Sequence, residues 1–367
     1  MGYTTITFLI FALLVVAAYY MFPVKKYQWT VLLAASYVFY LWASWRYVIF
    51  ILITTYTVYF AALAMHRNST EAKETVALHK GEWDKEQKKQ YKEEMKKKRK
   101  RLLIMVLVLN LGILVFLKYF NLFAGGLNTL LGFTGVEASV PILRLFLPLG
   151  ISFYTFQSTG YLIDVYREKI EPETNPAKYA LFVSFFPQII QGPISFYDQL
   201  AHQLYEEHSF SYKNLKYGAL LMLWGYLKKM VIADRAVSLI NTVTADYRQY
   251  NGTVILITVL VYALQLYADF SGGIDISRGF AEILGIQMAE NFKRPYFAVN
   301  INDYWRRWHI TLGAWMKNYV FYSLAMSKRF LKMGKDLKKK YGANPVGAHV
   351  AKVLPTGIAS FITFLLV

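Results

Sequence analysis

The 367-residue chain contains no cysteine, which excludes disulfide frameworks, thiolate metal sites and cysteine nucleophiles together. Any thioester chemistry it takes part in must use a sulfur that a cofactor brings. Charge is also scarce: 17% of residues are Asp, Glu, Lys or Arg, against roughly a quarter in ordinary soluble domains. Acidic residues are the scarcer sign, 23 against 41 basic ones, for a net charge of +18. The chain also has no H-E-x-x-H, no G-x-S-x-G elbow, no G-x-G-x-x-G and no P-loop, and its six histidines form no metal-ligand spacing, so no metal is expected. Internal repeats and heptad seams are likewise absent.

Apolar residues make up 56% of the chain and aromatic residues 17%, far too many for a disordered chain. A positive mean hydropathy beside so large a basic excess requires apolar spans and basic loops to alternate along the chain. The expectation is an all-α polytopic membrane protein of the cell inner or plasma membrane, in contact with lipid and multi-pass. Its basic loops follow the positive-inside bias, and nucleic acid is not expected as a partner.

The first apolar run, Thr4 to Phe22, holds 19 uncharged residues, enough at 1.5 Å per residue for about 28 Å of bilayer. Lys25 and Lys26 follow the run, which favours a retained span over a cleaved leader. From Tyr27 to Met65 only Arg46 is charged, so a helical hairpin turning near Ser44 to Arg46 is expected, with Trp42, Trp45 and Tyr47 at the interface. Residues 66–101 read as a charged cytosolic helical insert, with 13 Lys/Arg against 7 Asp/Glu between Arg67 and Arg101.

Leu102 to Phe120 is another span. Asn121 to Ser139, with Gly125, Gly126 and Glu137, reads as an external loop. Further apolar segments run over Leu145–Ile163, Tyr179–Ile194, Tyr217–Leu239, Val254–Phe270 and Phe280–Ile286. Residues 328–340 form a basic cytosolic loop, and the final run, Pro355 to Val367, is too short to cross.

Polar residues at membrane depth are costly and mark candidate sites. Gln157, Ser158 and Thr159 lie mid-span. Gln188 and Gln191 share a face of a short segment bracketed by Pro187 and Pro193, which reads as re-entrant and can bond a ligand or a neighbouring helix. Asp269 ends an apolar span broken by Ser271, Gly272 and Gly273. Asp275 can pair with Arg278 three residues on, whereas Asp269 has no local partner and can face a cavity.

Among the histidines His309 stands apart, since His66, His79, His202, His208 and His349 lie in charged, polar or loop-like settings. The stretch Ile301-Asn-Asp-Tyr-Trp-Arg-Arg-Trp-His-Ile-Thr-Leu312 reads as one helix capped by Asn302 or Asp303. On it Trp305 and Arg306 fall one turn before His309 on the same face, and Gly313 one turn after leaves space. Such an imidazole can act as a general base beside arginines suited to an anionic donor. A lone histidine is also ordinarily a satisfied interface residue, and the residues alone leave both roles open.

Six strings follow one another in a telling order: Leu147-Pro-Leu-Gly-Ile-Ser-Phe-Tyr-Thr-Phe-Gln-Ser158, Phe185-Phe-Pro-Gln188 with Gly192-Pro-Ile194, Leu227-Lys-Lys-Met-Val-Ile-Ala-Asp-Arg235, Tyr267-Ala-Asp-Phe-Ser-Gly272, Glu290-Asn-Phe-Lys-Arg-Pro-Tyr296 and Tyr304-Trp-Arg-Arg-Trp-His-Ile-Thr311. Their order resembles the membrane-bound O-acyltransferase family, in its branch of alginate O-acetylases, peptidoglycan O-acetyltransferases and teichoic-acid D-alanine exporters. The resemblance covers Leu147 to Thr311 in detail and the earlier spans in pattern.

It implies a single membrane domain over residues 1–367, a ring of transmembrane helices around re-entrant segments with a central funnel. There an acyl group would pass from a cytosolic thioester, acetyl-coenzyme A or an acyl carrier, to a hydroxyl of an envelope polysaccharide or of a secreted or membrane-anchored partner. Acetyl is expected because acetyl transfer is the commoner activity in that branch. His309 matches the first of the branch's two active-site histidines and is the expected catalytic residue. Arg306 or Arg307 is expected to hold donor phosphates, and Asp269, Asn291, Trp305 and Gln188 to shape the substrate route. The family's second histidine stands in a Trp-His-Gly motif after the second basic loop, and no such motif occurs here. The chain is therefore expected to be C-terminally truncated and inactive alone. The competing class is a non-enzymatic transporter or export scaffold whose polar groups line a permeation path.

Overall fold

A computed structural model describes residues 2–134, 139–143 and 145–366. Glu137, expected in an external loop, and Val367 lie outside the described residues. Among the described residues every regular element is helical. The chain falls into two compact units, with the boundary between Ala289 and Glu290.

In the first unit, α1 (Ile6–Met21) starts where Thr5 Oγ1 accepts the Phe8 N–H at 3.2 Å. Helices α2 (Gln28–Ser44) and α3 (Val48–Leu78) form the expected hairpin, turning through a 3₁₀ stretch at Trp45–Tyr47. The charged segment is built from the polar end of α3 and the polar start of α4 (Lys85–Thr134). Glu168, in the loop that follows the next helix, ties the two together, accepting from Ser69 Oγ (2.6 Å), Arg99 (2.6 Å) and Lys73 (2.9 Å).

Helix α4 runs 50 residues, so Asn121–Thr134 is helical where a loop was expected. Two asparagines seven residues apart explain the continuation. The Asn121 amide exchanges hydrogen bonds with the Leu143 backbone (2.7 and 3.0 Å) and the Asn128 amide with that of Val140 (2.9 and 2.7 Å), so the returning chain is stitched to one face of the helix.

Helix α5 (Ile151–Tyr166) begins after Gly150, whose φ of 66° and whose approach to the Ile189 carbonyl leave no room for a side chain. Helices α6 (Pro176–Ser184) and α7 (Phe186–Gln191) are each too short to cross a bilayer. Side chains bond the buried first turn of α7: Ser36 Oγ accepts the Phe186 N–H, and the Pro187 carbonyl accepts from Tyr3 and Ser277. Helix α8 (Tyr197–Tyr205) leads to α9 (Tyr212–Tyr226), which passes through a π-helical stretch, Leu227–Ala233, into α10 (Asp234–Ala245).

Helix α11 (Gly252–Ile283) is continuous through Ser271-Gly272-Gly273, where a break was expected. These glycines serve contact instead: Gly225 of α9 meets the Gly272 backbone and Gly218 that of Gly279, two glycine pairs seven residues apart on antiparallel helices. Beside them the consecutive lysines of the π stretch reach different carboxylates of α11. Lys228 pairs with Asp275 and donates to Ser271, and Lys229 pairs with Asp269 and with Asp234. Asp275 also meets Arg278 at 3.6 Å, as its spacing predicts.

The second unit holds α12 (Ile301–Trp305), α13 (Ile310–Trp315) with a π stretch at Met316–Phe321, α14 (Tyr322–Ala325), α15 (Lys328–Tyr341) and α16 (Pro345–Leu365). The basic segment 328–340 is thus a helix, capped by Ser327, and not a loop. Helix α16 corrects the reading of the last apolar run. It starts at Pro345, with Asn344 as its cap and Pro355 inside it, and carries His349 on a helix. Its 21 residues are long enough to cross. Among the described residues four helices have the length and apolarity to span a membrane: Trp45–Leu78 with its 3₁₀ start, α4, α11 and α16.

Candidate active site

The segment around His309 is two short helices meeting at a break, where one continuous helix was expected. Asn300 caps α12, its Oδ1 accepting the Asp303 N–H at 2.9 Å, so the cap lies just before the two residues expected to supply it. The chain then turns through Arg306–Trp308, and His309 takes a left-handed conformation with φ 45°. For a non-glycine residue this costs roughly 1–2 kcal/mol, so neighbouring contacts must enforce it.

The strap that enforces it comes from Asn291 to Lys293. In a continuous helix the Ile310 and Thr311 N–H groups would bond the carbonyls four residues back, those of Arg306 and Arg307. Here the Ile310 N–H donates to the Asn291 carbonyl (2.9 Å) and the Thr311 N–H to Asn291 Oδ1 (3.0 Å), while the Arg307 carbonyl accepts the Lys293 N–H (2.9 Å). Thr311 Oγ1 donates to the same Oδ1 at 2.9 Å. Asn291 is fully buried, with His309 Nδ1 3.3 Å from its Oδ1. Its Nδ2 has no partner among the described residues, an arrangement that costs about 1–3 kcal/mol and survives because the strap holds the oxygen in place.

His309 opens on a cavity of about 590 Å³ within this unit, lined also by Trp305, Arg306, Trp308, Lys317 and, from α16, Ser360, Thr363 and Phe364. Trp305 meets Phe364 edge-on at 5.4 Å, and Trp308 stacks on Tyr304 at 5.8 Å. His309 lies outside the four candidate spans, and burial pushes its imidazole from 6.5 down to about 4. It is therefore neutral at physiological pH, the form able to accept a proton.

Of the residues singled out from sequence, Trp305 and Arg306 share the cavity with His309, and Asn291 meets Nδ1 of its ring. Arg307 is held by Asp303 at 3.0 Å, one helical turn away. Asp269 and Gln188 belong to the first unit. There Asp269, which has no local partner in sequence, is paired with Lys229 across 40 residues, and Gln188 donates to Gln157 at 3.0 Å. Lys317 and Thr311 were overlooked. A single cation between Trp315-Met316 and Tyr319-Val320-Phe321, and a hydroxyl two residues after the histidine, were the available signals.

Membrane-length apolar helices and a neutral, strained histidine at a cationic cavity define the class: an all-α, multi-pass membrane protein with a candidate catalytic centre. Residues 82–335 match the profile of MBOAT, the membrane-bound O-acyltransferase family, and the chain belongs to that family. It is 32% identical to a probable alginate O-acetylase (AlgI) of Pseudomonas aeruginosa over 88% of this chain and 57% of that protein. It is 34% identical to a peptidoglycan O-acetyltransferase of Helicobacter pylori over 59% of this chain and 45% of the relative. With a teichoic acid D-alanyltransferase of Bacillus subtilis the identity is 31% over 47% and 44%. The chain thus spans about half the length of the curated relatives it matches.

Proposed function

We propose that the protein is a membrane-bound O-acyltransferase that moves an acetyl group from a cytosolic thioester to a hydroxyl of a cell-envelope polysaccharide, directly or through a secreted or membrane-anchored acceptor. The observation that carries this reading is His309 lining one cavity with Arg306 and Lys317. In the reaction the acceptor oxygen bonds to the thioester carbonyl carbon as its proton passes to His309. The C–S bond then breaks, and the proton leaves with the thiolate. The donor, acetyl-coenzyme A or an acyl carrier, supplies the sulfur that the cysteine-free chain lacks. Arg306 and Lys317 offer charge-assisted contacts to an anionic donor or acceptor.

Full-length protein in vesicles, supplied with labelled acetyl thioester and acidic polysaccharide, is expected to form alkali-labile acetyl ester on the polymer. A transporter or export scaffold would move polymer or label across the vesicle wall without forming that ester, and such a result would overturn the reading.

A further inference from the structure

The amide of Asn291 cannot be turned end for end. The Thr311 backbone N–H only donates, so the atom it meets at 3.0 Å must be the amide oxygen. An oxygen there, accepting also from Thr311 Oγ1, can only be approached by a donor, and the atom 3.3 Å away is Nδ1 of His309. The backbone of Asn291 holds the same junction through the Ile310 N–H, so amide and imidazole are fixed to one frame. Asn291 is fully buried and is not among the residues lining the cavity.

From this we infer that Asn291 is a positioning residue that fixes the proton of His309 on Nδ1, so that Nε2 is the ring nitrogen that carries the lone pair. It takes the role expected of a substrate-route residue away from Asn291 and gives it a role through His309. The inference rests on the proposed base function of His309 but concerns a property, the tautomer, that can be read without turnover. The strap also explains why His309 sits at a helix break: the Ile310 and Thr311 N–H groups that would close the helix are engaged by the residue that sets the tautomer.

The test compares Asn291→Asp and Asn291→Leu in the full-length protein, with ¹⁵N-histidine NMR in detergent and steady-state acetyl transfer. Asn291→Asp keeps an oxygen at the Thr311 N–H, so the Nδ1–H form should persist. The added carboxylate should raise the pH at which His309 protonates, against the opposing cations Arg306 and Lys317 and with Asp303 already engaged by Arg307. Asn291→Leu should mix the tautomers and lower kcat by about 10²-fold, the lower end of what a general base supplies, with KM little changed. An unchanged Nδ1–H signal in Asn291→Leu, or an Nε2–H form in the parent protein, overturns the inference. If Asn291→Leu does not fold, the parent spectrum and the Asn291→Asp titration decide it. Loss of tautomer control in a protein whose transfer survives His309→Gln would instead count against the base function alone.

Discussion

The glycine contacts between α9 and α11 are sensitive to a single methyl group. In Gly225→Ala the new Cβ would lie 2.6 Å from the Gly272 carbonyl oxygen, 2.8 Å from Ile276 Cγ1 and 2.9 Å from the Ile276 nitrogen. Two of these neighbours are backbone atoms of a continuous helix, so relief requires the two helices to separate. Overpacking of this kind costs about 1–3 kcal/mol, and Ala in a helix returns about 0.8–1 kcal/mol of that. The net loss of up to about 2 kcal/mol corresponds to a fall in Tm of up to roughly 4–8 °C at about 2–4 °C per kcal/mol. Gly112→Ala is the matched control, since it lies in α4 with nothing within 4 Å of its added methyl. It should be neutral or stabilising. Circular dichroism melts of the two variants in the same detergent make the comparison, and a Gly225→Ala protein as stable as Gly112→Ala would refute the close packing.

Other consequences follow from the charged groups. Hydrogen bonds from Ser69, Lys73 and Arg99 hold Glu168 well below the usual carboxylate range, at about 2. Its contribution to stability is therefore present above the unfolded value and is lost as pH falls from about 4.5 towards 2. Glu168→Gln should flatten that part of the acid-unfolding curve, and an unchanged curve would mean the three contacts do not form. Arg306→Gln should raise KM for an anionic substrate with little effect on melting, because Arg306 lines the cavity. Arg307→Gln, losing its bond to Asp303, should instead act on stability, and the reverse pattern would reassign the two arginines.

The features legible in the sequence were those carried by long local patterns. Long uncharged runs marked α1, the α2–α3 turn and the apolar part of α4 without any partner being known. The Trp-Arg-Arg-Trp-His string pointed to His309, Arg306 and Trp305, and the spacing of Asp275 and Arg278 announced their contact. Features that depend on distant chain were not legible. Gly272-Gly273 read as a helix break because glycine lowers helix propensity, and only the facing Gly225 shows that the missing side chains serve close approach. The break at His309 was hidden for the opposite reason: residues 301–312 have good helical pattern, and the Asn291 strap that interrupts them lies about twenty residues away. Asp269 lacked a local partner and found Lys229 across two helices. Residues 328–340 looked like a loop by charge alone, although Phe330, Met333 and Leu337 recur at helical spacing along it.

Whether His309 takes the proton during acyl transfer is decided by His309→Gln in the full-length protein. The measurement is initial-rate transfer of labelled acetyl to polysaccharide across a range of thioester concentrations, beside a melt of the same preparation. The expected result is a fall in kcat of about 10²- to 10⁴-fold, the range for losing a general base, with the melting temperature and KM close to those of the parent. Transfer at the parent rate by a folded His309→Gln protein would contradict it.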